Sequence, residues 1–72
     1  MNGNFRINDE VTWGSGAARA AITGFRSEAR AHEVVRLAVL RLTNSVKDVT
    51  TGESYPAGTL FTVGVSALRA VN

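Results

Sequence analysis

Few side chains in this sequence can do acid–base or metal chemistry, and they are scattered. His32 is the only histidine, with Glu28 and Glu33 beside it. A protein metal centre needs further imidazole or thiolate ligands, and the chain has no second histidine and no cysteine, so no metal is expected. A serine nucleophile needs a histidine and an acid within reach, and no serine here stands in such a pattern. Gly14-Ser15-Gly16 lacks the following lysine and the strand-to-helix setting of a phosphate loop. No catalytic residue, cofactor or cofactor-binding residue is assigned, and the chain reads as a non-enzymatic protein.

Binding chemistry is better represented. Trp13, the sole tryptophan, precedes a glycine turn, a place for an aromatic platform that stacks a base, a peptide or a cationic group. The alternative is a tryptophan of the core or of an interface. Tyr55 is followed by the only proline, Pro56, and this pair suits the other wall of a groove; alternatively Tyr55 packs over the end of the fold. Seven arginines against one lysine give a net charge of +2. Arginine binds carboxylate and phosphate in a bidentate manner and stacks on planar groups. Arg19, Arg26, Arg30, Arg36 and Arg41 fall in the middle of the chain, but Glu28 and Glu33 are interleaved with them, as on an ordinary solvated face. Trp13, Arg19, Arg26 and Tyr55 are the candidate partner-binding residues, for a protein segment or nucleic acid.

The element that must position them is the longest apolar run, Val34 to Thr43. As a helix, residues 28–42 would start from Ser27 as N-cap and gather Ala31, Val34, Val35, Ala38, Val39 and Leu42 on one face. As a strand, Val35, Leu37 and Val39 share one side. Leu40 and Leu42 then continue that side only if the phase slips by one residue near Val39–Leu40, as at a β-bulge. Arg36 and Arg41 would then both point away from the core. The neighbouring segments read as strands, so a strand is favoured, with an α+β fold carrying a helix at about 28–42 as the alternative.

The remaining chain supplies short strands. Residues 1–4 read as a frayed polar end, followed by Phe5 or Ile7 as the first side chain to reach the core. Glu10 to Trp13 alternates as a first strand, and Gly14-Ser15-Gly16 turns the chain. Arg19 to Arg26 is a second strand, with Gly24 marking a kink or a close backbone approach. Ser27 to Glu33 reads as a charged connection, and Asn44 to Pro56 as a long loop or a ragged hairpin tip. Residues 59–65 place Phe61, Val63 and Val65 on one side of a fourth strand. Ser66 to Leu68 is a candidate 3₁₀ turn capped by Ser66, and residues 69–72 form a short last strand.

The expected fold is therefore all-β, a single small SH3-like barrel of about five strands with one 3₁₀ turn, spanning residues 1–72. A chain of 72 residues is near the lower limit for building its own core. Without cysteine there is no disulfide to staple it, and a reducing cytoplasm is the default location. No apolar stretch approaches a membrane span or a signal-peptide core, so no membrane association is expected. Small size without staples favours a homo-oligomer, a dimer or a tetramer.

Two resemblances rest on particular phrases. Asn8-Asp9-Glu10-Val11-Thr12-Trp13, followed by a glycine turn, resembles the entry to Tudor-like and KOW-like SH3 barrels, where a GD-x-V-x-W phrase opens the sheet; Asn8 stands where those have glycine. The ending Val65-Ser66-Ala67-Leu68-Arg69 is similar to the strand, 3₁₀ turn and strand that close many small bacterial and phage-type SH3-like proteins. The order Asp9-x-Val11, Ser15-Gly16-Ala17-Ala18, Ile22-x-Gly24-Phe25, Val65-x-Ala67-Leu68 and a terminal Asn72 also resembles the plasmid- and integron-borne type II dihydrofolate reductases. That resemblance implies an SH3-like tetramer carried on a mobile element. In that family a Val-Gln-Ile-Tyr phrase lines a central pore and binds folate and nicotinamide. The matching positions Leu60-Phe61-Thr62-Val63 carry neither amide nor phenol, and Trp13 replaces the lysine near the pore mouth. The resemblance thus implies architecture and oligomer without the activity. A divergent reductase-like tetramer binding a planar heterocycle or a nicotinamide cofactor is the alternative, with Phe61 and Val63 lining its pore.

Overall fold

The computed structural model describes residues 5–71, and they form an all-β fold. Its strands are β1 (Glu10–Trp13), β2 (Ala18–Arg30), β3 (Glu33–Leu42), β4 (Val46–Lys47), β5 (Ser54–Tyr55), β6 (Leu60–Gly64) and β7 (Arg69–Ala70), with a 3₁₀ turn at Val65–Ala67 before β7. The main sheet has five antiparallel strands in the order β6-β3-β2-β1-β7, and β4 and β5 form a separate two-stranded hairpin. The last strand thus returns to pair with the first, and β6 and β7 are the sheet edges.

The apolar run is a strand, and the helical alternative over residues 28–42 does not form. Its apolar residues lie on both sides at period two: Ala38, Leu40 and Leu42 are buried, while Val35, Leu37 and Val39 are half-buried on the other face. A helix would have collected one apolar stripe, whereas a central strand can be apolar on both faces. The phase slip sits where the sequence placed it but on the neighbouring strand. Ile22 pairs with Leu40 and Gly24 with Val39, so Thr23 is the extra residue and β3 runs unbroken.

The segment 27–33 is not a loop. Strands β2 and β3 continue through it, pairing Arg30 with Glu33 across the two-residue tip Ala31-His32. Ala31 has φ +46°, the positive value that short hairpin turns demand at a central position. Arg36 does not share the outer face with Arg41. It follows Ala38 in phase and, beyond the end of the core, lays its guanidinium over the Phe25 ring at 4.7 Å.

Val11, Ala20, Ile22, Ala38, Leu40, Leu42 and Leu68 make the core. Ala20 lies between Val11 and Leu42 in register; its small side chain lets those larger residues close over it. Full burial of Ile22, Leu40, Leu42 and Val11 stabilises the fold by roughly 1.5–3 kcal/mol each. Phe5 packs against this cluster, whereas Ile7 is half exposed. Asn8, at the position where the resembled phrase has glycine, has φ +77°, a left-handed conformation that asparagine tolerates. The 3₁₀ turn starts at Gly64 with no side-chain cap, so Ser66 lies inside it and does not cap it. The expected frayed start and the terminal Asn72 lie outside the described residues.

Candidate binding cleft

Three connections shape one end of the core-side face. After β1, Gly14 (φ +62°) and Gly16 (φ +91°) turn the chain, and the Gly16 N–H donates to the Trp13 carbonyl at 3.1 Å. At the end of β3, the Asn44 side chain accepts from the Arg19 N–H at 3.1 Å and donates to the Ala17 carbonyl at 3.4 Å. This ties the start of β2 to the chain leaving β3. In the β4–β5 hairpin, Asp48 accepts from the Thr50 N–H at 2.9 Å, and its backbone pairs with Glu53 and Gly52. Of the two expectations for this segment, a long loop or a ragged hairpin tip, it is the hairpin that forms, and its bend is held by its own aspartate.

The hairpin lays Val46 and Tyr55 against the core. Trp13, from β1, follows Val11 in phase on the core side, and Phe61, from β6, does so opposite Leu40. The Phe61 ring stands between the other two, 5.3 Å from Tyr55 at 74° and 6.0 Å from Trp13 at 58°. Edge-on and tilted packing of this kind is the favoured aromatic geometry. Beside the three rings opens a cleft of about 370 Å³, lined also by Gly14, Ala18, Val46, Lys47 and Asp48. Its size lies in the range of small-ligand and side-chain pockets.

Polar groups sit at the rim. Lys47 and Asp48 face the cleft with opposite charges. The Tyr55 hydroxyl donates to Glu53 Oε1 at 2.6 Å. That bond raises the Tyr55 pKa above its usual 10.0, helped by partial desolvation and by the negative charges of Glu53 and Asp48. Tyr55 is thus held as a neutral donor. Among the described residues, no three His, Asp or Glu side chains converge to hold a metal ion. His32 is exposed at the tip of the β2–β3 ribbon, with Glu28 engaged by Arg30 at 2.7 Å.

Of the four candidate residues, the fold brings Trp13 and Tyr55 together and leaves the two arginines elsewhere. Arg19 pairs across from Thr12 and Arg26 across from Leu37, so both point from the outer face and are exposed. Of the three rings at the cleft, Phe61 is the one that sequence reasoning did not assign to partner binding. Its core-side phase was visible in the alternation of residues 59–65, but nothing local shows that it would stand between Trp13 and Tyr55.

No helix in the described residues is long and apolar enough to cross a membrane. Compared with family models, curated proteins and solved structures, the chain matches none of them.

Proposed function

We propose that the chain is a non-enzymatic binding module of the small SH3-like type, taking an extended protein segment at the cleft beside Trp13, Phe61 and Tyr55. One observation carries this reading: the only tryptophan and the only tyrosine, remote in sequence, meet on Phe61 at the wall of an open cleft. Aromatic walls supply large apolar contact at low entropic cost, and a neutral tyrosine at the rim adds a directional polar group. A protein segment is favoured over nucleic acid by the charges. Lys47 and Asp48 balance at the rim, while Arg19 and Arg26 lie on the other face. An origin in a phage or mobile element and a cytoplasmic site of action belong to the same proposal; they rest on the resembled phrases and on the absence of cysteine.

The test is a peptide-display selection against the folded chain, followed by titration of Trp13 emission with the enriched peptides. Saturable shifts that Phe61→Ala abolishes, and binding that Trp13→Phe weakens when followed by anisotropy of the labelled peptides, with circular dichroism unchanged, support the reading. A selection that yields no binder, while single-stranded oligonucleotides bind with an affinity that falls steeply with salt, transfers it to the arginine face.

A further inference from the structure

We propose that the outer face of β3 is the surface on which a second copy of this chain docks. Val35, Leu37 and Val39 form an apolar row there, each half-buried, about 13 Å long at strand spacing. On one side each, Val39 and Leu37 have a glycine as cross-strand neighbour; on the other side stand Thr62 and Arg26. Gly24 of β2 faces Val39, and Gly64 of β6 faces Leu37.

Neither glycine is required by crowding within the monomer. A Cβ at Gly24 would meet nothing within 4 Å. One at Gly64 would reach only the Ser66 hydroxyl at 4.0 Å, and Gly64 has the ordinary extended angles φ −60° and ψ 136°. Glycine within a strand weakens it by roughly 0.5–1 kcal/mol relative to alanine. Glycines on both sides of an apolar row instead lower the surface where another backbone approaches.

The face is complementary to itself. A two-fold axis crossing β3 at Ala38, perpendicular to the strand, sets the two faces together with their strands antiparallel. Leu37 then lies over the partner's Val39. Arg26, the cross-strand neighbour of Leu37, lies over the space left by the partner's Gly24. Arg41 lies over the partner's Val35, whose neighbour is Glu28, so opposite charges meet at both ends of the row. Glu28 keeps one oxygen on Arg30. Such isologous pairing is the commonest way for a chain to close an oligomer.

The aromatic cleft lies on the opposite, core side of the sheet, so a dimer built this way carries two clefts facing outward. A bivalent module gains avidity without any new contact.

Light scattering on a sizing column, run over a concentration series, tests the face. The expected result is twice the monomer mass for the native chain and the monomer mass for Leu37→Glu, with circular dichroism unchanged. If Leu37→Glu does not fold, the charges decide: Arg41→Glu alone lowers the dimer fraction, and adding Glu28→Arg to it restores the dimer. A native chain that stays monomeric at every concentration overturns the proposal. So does an oligomer of any size that Leu37→Glu and Arg41→Glu both leave intact.

Discussion

Replacing Phe61 by alanine probes the centre of the cleft and can be worked from the structure. Phe61 packs on the core and makes two aromatic contacts, to Tyr55 at 5.3 Å and to Trp13 at 6.0 Å. Aromatic pairs contribute about 0.5–1.5 kcal/mol each beyond area. Because most of Phe61 is buried, its transfer contribution is somewhat below that of a fully buried ring, roughly 1–2 kcal/mol. The substitution therefore costs about 2–5 kcal/mol. A chain of 72 residues has a total stability of about 4–10 kcal/mol, so a large fraction is lost. With a urea slope of about 1 kcal/mol per molar for so small a domain, the unfolding midpoint falls by about 2 M or more. Trp13 emission follows the transition directly, since no other tryptophan contributes. The control is Leu60→Ala on the same strand, because Leu60 is 62% exposed and its loss shifts the midpoint by less than about 0.5 M, as surface changes do. Equal shifts for the two variants would refute the argument, since Phe61 would then not be packed between two rings.

Two further expectations concern single groups. Tyr55 is the only tyrosine, so phenolate absorbance reports it alone. Its pKa is raised in the folded state, so the stabilisation it contributes is fully present below the ordinary tyrosine value of 10.0. That contribution is lost as the pH climbs through the raised one. Glu53→Gln removes the carboxylate and should bring the titration back down; an unmoved titration would show that the Glu53 contact does not form in solution. Ala31→Gly relieves a residue held at φ +46°. The left-handed region costs a non-glycine residue about 1–2 kcal/mol, and glycine's greater backbone entropy returns about 0.5–1 kcal/mol of that. Thermal unfolding should therefore move up by a few degrees, and a lower midpoint would mean that the hairpin tip adopts another turn.

Several elements were legible because their signals are local. The strand at Glu10–Trp13, the glycine turn after it and the alternation around Phe61 follow from backbone permission and period two, which neighbouring residues alone define. Other features were misread for an equally physical reason. Residues 27–33 are polar because the β2–β3 ribbon projects beyond the core and is wet on both faces, and polarity of that kind reads as a loop. The apolar run by itself points to a bulge in β3, because a run with large residues on both sides has no intrinsic phase. Only the pairing with β2 shows that Thr23 is the residue in excess.

From the sequence alone come the all-β class, the small core, the exclusion of thiolate metal sites and the identity of the two aromatic residues to watch. Each of these depends on residue type or on near neighbours. The tertiary structure alone decided which residues stand together. Trp13 reaches Tyr55 through Phe61 because β6 pairs with β3 while a separate hairpin folds back over the same end of the core. Arg19 and Arg26 leave that site because one extra residue and the register of β2 turn them to the outer face. Pairing between strands distant in the chain is set by the summed burial of a whole face, which no local stretch of sequence contains.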